Sequence, residues 1–587
     1  MNTRHLWIFL LALLVAGVAS LCLASDTAEV PVQEYELDNG MRLLLVERHD
    51  DPSVAGGWVA HVGSANEEAG ATGIAHLFEH MMFKGSRTIG TTDAEKELQI
   101  MAKLDGVRIE MEKEYTALRD AKRRGEVEGS IYLPENRTER LQELTEEMKA
   151  LQNEQKTFIV KDEFDKVYTQ LGASSMNAFT NNDMTTYFIS VPANKLELWF
   201  WMESERLLNP VFREFYSERD VVREERRMRV ESNPTAKFEE QFDSMFWNAS
   251  PYHHPVIGWP SDVESISREQ ANQFFATYYA PNNITVALAG DFDTDEALAL
   301  AKKYFGRIPR GETPPPEVIT EELEQLQERR MVAEADTNPS VQIRWRTVSF
   351  IHPDQYALDV LSAILSDRTG RFYKSLVEDM SIATGEPYAY QQTLRLDGAF
   401  EVGAELAENV PHQTVEEALL GEISKLKTEP VPERELRKVK NQSLANSYRR
   451  LQSNLFLMIQ LLVYDALGDW QYLNNSAAAI EAVTAEDIMR VAKTYFTSEK
   501  RNTLWYVRKE GTEEDPALAG LAGQAKQMAK QMISQIAQET DAANLQMALT
   551  QMQGGLTQAP EQFRPAIEVV IQKINERLAE LEAGKEE

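Results

Sequence analysis

GIAHLFEHMMFKGS, residues 73–86, sets two histidines four apart with a glutamate immediately before the second. On a helix, positions i and i+4 lie on one face, so His76 and His80 can reach the same point. Glu79 lies one turn from His76 and its carboxylate enters the same space. Two imidazoles and one acid leave room for a third ligand and an open water position, the layout of a catalytic zinc site. Zinc lowers the pKa of bound water towards neutrality, and a nearby carboxylate can take its proton. The competing reading is an amphipathic helix with a histidine pair on its polar face. Leu77, Phe78, Met81, Met82 and Phe83 count against it, because burying two histidines and an acid among them without partners is costly.

Outward from this stretch, the pattern is mixed. Gln33–Arg48 alternates about Asp38-Asn39-Gly40, a hairpin signal, and Val54–Val62 reads as another strand. Thr72 is placed to cap a helix starting near Gly73, and Gly85 to end it. Residues 102–157 are dense in charge. Leu104, Val107, Met111 and Leu118 form one helical stripe, and Leu141, Leu144, Met148 and Leu151 another, which predicts a helical hairpin insert. Strand composition returns over 172–192, and 194–231 reads as helices. At Ser267, with Gln270 three residues on, a capping box opens a helix that leads to FFATYYAPNNITVALAGDF, a turn and a strand. TAEDIMRVAKTYFTSEKRNTLWYVRK (484–509) repeats this plan from Thr484 and Asp487, so two related domains are expected. Three consecutive prolines in RGETPPPEVITEE (310–322) mark the division between them.

The expected organisation is α+β: a domain at 30–312 holding the histidines and interrupted by an insert at about 102–170, a second at 322–510, and a helical tail at 511–587. Each domain is a mostly antiparallel sheet packed against helices. The chain has 587 residues, 61 basic and 93 acidic, a formal net charge of −32 that excludes a nucleic-acid binder. Arg4, the apolar run Leu6–Val18 and Cys22-Leu23-Ala24 read as a signal peptide over 1–24, cleaved after Ala24. An uncleaved anchor is the alternative, and only then is a membrane involved. Cys22 is the single cysteine, so no thiolate can hold a metal in the mature chain. His253 and His254 in PYHHPVIGW are adjacent, do not share a helix face, and read as a loop pair.

LDNGMRLLLV, the H-x-x-E-H run, NAFTNNDMTTYF (177–188) and ERDVVREE (218–225) occur in the order seen in inverted-zincin peptidases. The chain resembles the pitrilysin or insulinase (M16) family, especially the branch that includes the mitochondrial processing peptidase catalytic subunit. The resemblance implies a zinc metalloendopeptidase acting on peptides or unfolded segments, with one zinc per chain on His76 and His80 and Glu79 as general base. Spacing alone leaves Glu203, Glu205, Glu214, Glu218, Glu224, Glu225 and Glu231 open as third ligand. The family pattern selects Glu225, with Glu218 supporting it two helical turns earlier, and Glu224 as runner-up. It also implies that Asn177, Ala178 and Phe179 lie on a strand that pairs with an extended substrate. The matching part of RFYKSLVEDMSIATGEPY puts Val377 and Thr384 where many relatives carry an Arg and a Tyr that hold the substrate carbonyl. The chain is then expected to form half of a clam-shell with a related non-catalytic subunit or a second copy, in the periplasm or secreted. The alternative is a non-catalytic scaffold or assembly subunit, or a binder of zinc or peptide without turnover.

Overall fold

A computed structural model describes residues 29–509, 516–518, 520–521, 523–539, 541–556 and 559–583. The expected signal peptide lies outside the described residues. The first strands are β1 (Gln33–Glu36) and β2 (Arg42–Glu47), antiparallel about a turn in which Gly40 takes φ +87°; the apolar run Leu43–Val46 of β2 is buried on both faces of the sheet. The first sheet has the order β1-β2-β6-β3-β5-β4, with β3 Ser53–Ala60, β4 Ser174–Thr180, β5 Thr185–Pro192 and β6 Ile284–Gly290. The second has the order β7-β11-β8-β10-β9, with β7 Arg329–Ala335, β8 Ser340–Arg346, β9 Ala383–Thr393, β10 Gly398–Leu406 and β11 Asn502–Arg508.

Without β1, the two sheets share one topology. In each, the strand last in the chain lies between the first two, parallel to one and antiparallel to the other. In each, that strand follows a helix opened by a capping box, Ser267 with Gln270 and Thr484 with Asp487. The sequence echo is thus a structural one: two related α+β domains. No helix or strand occurs over 308–328, which joins them.

The helices used below are numbered in chain order: α1 Ile74–Met81, α2 Ala94–Arg123, α3 Glu139–Lys156, α4 Phe215–Arg226, α5 Ala236–Phe246 and α6 Asn454–Leu467. Packing does not respect a linear division of the chain. On α6, from the second half, Leu457, Met458, Leu461 and Leu462 cover Leu44, Val46, Val59 and Ala289 of the first sheet. From the first half, Phe242 of α5 packs on Ala333, Ala335, Leu504 and Tyr506 of the second. Each half lends a helix to its counterpart. Gly57 on β3 makes this fit: a Cβ there would lie 2.8 Å from Met458 Sδ, whereas Gly56, facing the other way, leaves room for Trp199.

The charged stretch forms an antiparallel hairpin of α2 and α3, zipped by the two apolar stripes: Leu104, Val107, Met111, Leu118, Leu141, Leu144 and Met148 are buried. Among the described residues, the tail has three α-helices within 523–583 around a small core that includes Ala529, Leu545, Leu549, Val570 and Ile574. No helix among the described residues is long and apolar enough to cross a membrane.

Candidate metal centre and peptide cleft

Helix α1 is sunk in the core rather than laid on the surface. Its Ile74, Ala75, Leu77, Phe78 and Met81 are buried, and Phe78 packs against Phe212, Phe274 and Tyr279. The cap differs from expectation. Gly73 takes φ +93°, and the Glu67 carboxylate accepts the N–H groups of Gly73 and Ala75, both at 2.8 Å. Thr72 instead donates its hydroxyl to Asp262 and accepts the Trp259 N–H, tying down a neighbouring loop. A carboxylate at a helix N-terminus meets both the unpaired N–H groups and the dipole, so it displaces a hydroxyl from that role. Burial pushes the Glu67 carboxyl well above the usual range, against the pull of its two N–H donors.

His76 is buried and His80 half-buried, with ring centroids 5.1 Å apart. Glu225, 145 residues after His80, reaches them from α4: its Oε2 lies 3.6 Å from His76 Nε2 and 3.5 Å from His80 Nε2. Among the described residues these are the one group of three or more His, Cys, Asp or Glu whose ligand atoms converge, all within 4.8 Å. Glu218 Oε2 lies 3.7 Å from the other nitrogen of His80, and Lys84 pairs with Glu218 and Glu214.

The remaining glutamates are engaged elsewhere. Glu224 faces solvent and pairs with Arg227; Glu203 is buried against Trp58, Tyr168 and Arg206; Glu205 bonds Thr88, Asn209 and Arg307. Glu231 opens on a different cleft, beside the hairpin tip. His253 and His254 do not join the group: His253 bonds its own loop at Ser250 O, and His254 lies 3.8 Å from Glu67.

The donor set fits a zinc ion. Glu225 Oε2 is buried without a hydrogen-bond partner, yet faces two imidazole nitrogens. Metal–ligand bonds of about 2.0–2.2 Å put tetrahedral donors about 3.3–3.6 Å apart, and Glu225 Oε2 lies 3.6 and 3.5 Å from the two Nε2 atoms. Burial pushes the His76 imidazolium down to about 4, leaving a neutral ring with one nitrogen lone pair free to bind a metal. His80 goes the other way, to about 9: burial lowers it, and Glu218 and Glu225 outweigh that. The His80 contact holds the Glu225 carboxyl below its usual range.

Glu79 and His80 open onto a cleft of about 850 Å³ lined also by Phe83, Met176, Asn177 and Ala178. Burial pushes the Glu79 carboxyl up. On the cleft's other side, β4 is the edge strand of its sheet, so one row of its backbone N–H and C=O groups has no strand partner. Phe179 lies against Phe188, with ring centroids 6.2 Å apart, and its side chain does not line the cleft. Val377 is half-buried against the second domain's core, and Thr384 is the second residue of β9.

Sequence reasoning passed over Arg229, whose guanidinium lies 2.9 Å from Glu225 Oε1. Its i+4 spacing was a usable signal, but Arg223, Arg226 and Arg227 crowd the same turn.

Known proteins resemble the chain over most of its length. The family profile described as insulinase (peptidase family M16) matches residues 42–112 and 145–258, and that described as the peptidase M16 inactive domain matches 265–443. The stretch left out inside the first, 113–144, is the distal part of the hairpin and is shorter than the expected insert. Zinc protease PqqE of Helicobacter pylori is 25% identical over 505 residues, 83% of this chain and 97% of that protein. A protease structure from H. pylori superposes with a TM-score of 0.66 at 23% identity, covering 81% of this chain and 99% of that one. The periplasmic protease PqqL from Escherichia coli superposes with a TM-score of 0.59 at 16% identity over 83% of this chain, which spans 49% of PqqL.

Proposed function

Since the chain belongs to the M16 (insulinase) peptidase family, we propose that it is a zinc-dependent endopeptidase that cuts peptides or unfolded segments. The observation that carries this reading is the convergence of His76, His80 and Glu225, with Glu79 beside them and outside the donor set. His76 and His80 through Nε2 and Glu225 through Oε2 would hold the ion. When bound, zinc supplies Lewis acidity, activating water and polarising a peptide carbonyl.

The chain's own residues do the rest. An extended peptide adds to the free edge of β4, where backbone pairing accepts many sequences. That registers a scissile bond over the cleft beside Glu79. Glu79 takes the proton from the attacking water and returns it to the leaving amine. Burial raises its proton affinity towards the working pH, which suits a base that must also release the proton as an acid. Glu218, against His80 Nδ1, orients that ring and sets its free nitrogen towards the donor group.

The second domain carries no Arg–Tyr pair at 377 and 384, so the working unit closes over substrate with a related subunit or a second copy. The N-terminal sequence, and a neighbour described as periplasmic, support a periplasmic or secreted location.

The test is Glu79→Gln. It is expected to keep one zinc per chain and lose hydrolysis of a quenched peptide by roughly a hundred- to ten-thousand-fold. Cleavage at the wild-type rate would remove Glu79 from the mechanism. Loss of zinc from the variant would place Glu79 among the ligands instead.

A further inference from the structure

Helix α4 does not end as an α-helix. It passes into a π-helical turn, Arg227–Glu231, closed by the Ser232 N–H on Arg227 O at 2.9 Å. Such turns are rare and concentrate at functional sites. This one carries Arg229 alongside Glu225 and divides the carboxylate. Oε1 lies 2.9 Å from Arg229 Nη2, while Oε2 is buried, has no hydrogen-bond partner, and faces both imidazoles.

We propose that Arg229 is a positioning residue that holds Glu225 as a one-oxygen ligand. The proposal rests on reading His76, His80 and Glu225 as a zinc site. A carboxylate free at both oxygens can turn and offer either or both to a metal. A guanidinium on one oxygen fixes the plane and leaves a single donor, so an open position on the ion is kept for water and substrate. Arg229 acts on the ligand set through Glu225, whose Oε1 it pairs with.

The bland reading is a surface ion pair. Arg229 is 72% exposed, and such a pair adds little to folding. The same turn supplies the comparison, because Arg227 pairs with Glu224 at 2.8 Å on the solvent face, away from the histidines. A structural role predicts equal behaviour for the two arginines; a positioning role predicts different behaviour.

The experiment titrates the metal-stripped full chain with zinc against a chromogenic chelator, for wild type, Arg229→Ala, Arg229→Lys, Arg227→Ala and His76→Ala. Arg229→Ala is expected to weaken zinc about 10–100-fold, as loss of a ligand's hydrogen-bonding partner does elsewhere. Arg229→Lys recovers part of that, since lysine keeps the charge but not the fork, and Arg227→Ala binds as wild type. Cobalt-loaded Arg229→Ala is expected to show weaker visible absorption than wild type, as the second oxygen joins the ion. Wild-type zinc affinity and cobalt spectrum in Arg229→Ala, with binding abolished in His76→Ala, overturn the positioning role alone. Undiminished zinc in His76→Ala overturns the zinc site and the proposal with it.

Discussion

At the residue scale, the buried Glu67 carboxylate is what holds the histidine helix at its start. Its two acceptor bonds, to Gly73 and Ala75, satisfy backbone groups of an eight-residue helix with no other side-chain cap. Glu67→Ala is expected to destabilise the protein by about 1–2 kcal/mol, the usual size of a lost cap. Glu67→Gln, which keeps one carbonyl acceptor, should cost less; urea midpoints measure both, and equal losses would contradict the capping role. Much of the site was legible at this scale. His76, Glu79 and His80 share one turn, so their relation follows from helix geometry alone. Glu225 does not, because it reaches them across 145 residues and spacing cannot choose among seven glutamates. What singles it out physically is convergence: of the seven, Glu225 is the one whose oxygen faces Nε2 of both histidines, whereas Glu218 reaches only His80 Nδ1. Thr72 has the chemistry of a cap, and only the fold shows that Glu67 occupies the start of the helix.

At the element scale, hairpins, capping boxes and apolar stripes were readable because each is decided within a few residues. The exchange of α5 and α6 between the sheets was not. Their apolar faces state that they must be covered, but periodicity carries no address for the sheet that covers them. The exchange also means that neither sheet is finished by its own stretch of chain. Phe242 is fully buried between α5 and the second sheet, beneath the Arg344 guanidinium. Phe242→Ala is expected to cost about 3–5 kcal/mol, the range for emptying an aromatic site in a core. If the halves depend on each other as the packing implies, loss of Phe242 lowers the denaturant midpoint reported by tryptophans of both sheets, Trp58 and Trp345, together. A variant in which only the second sheet's midpoint falls would show that the halves fold independently despite the shared helices.

At the scale of the whole molecule, the docking of α6 on the first sheet is fixed by a buried charge. Asp465 is almost wholly covered; its Oδ1 lies 2.7 Å from Arg42 and its Oδ2 3.2 Å from His61, and Arg42 also carries Glu34. Burial raises the Asp465 carboxyl, but His61, Thr285 and Arg42 outweigh it and hold it below its ordinary 3.8. The unfolded chain therefore binds this proton more readily than the folded one. The stabilisation is complete above the ordinary carboxylate value and is lost as pH falls through the lower folded value. Asp465→Asn keeps the shape of the side chain and removes its charge, which makes it a permanent copy of the protonated state. At about pH 7 the variant is expected to be less stable by about 1.5–3 kcal/mol, the range for hydrogen bonds to a charged group. That gap should narrow below about pH 4, where the wild-type carboxylate itself takes up its proton. Thermal midpoints of the two proteins across that range decide the matter. A gap that stays constant to the lowest pH would mean that the carboxylate's shape, and not its charge, seats α6 on the first sheet.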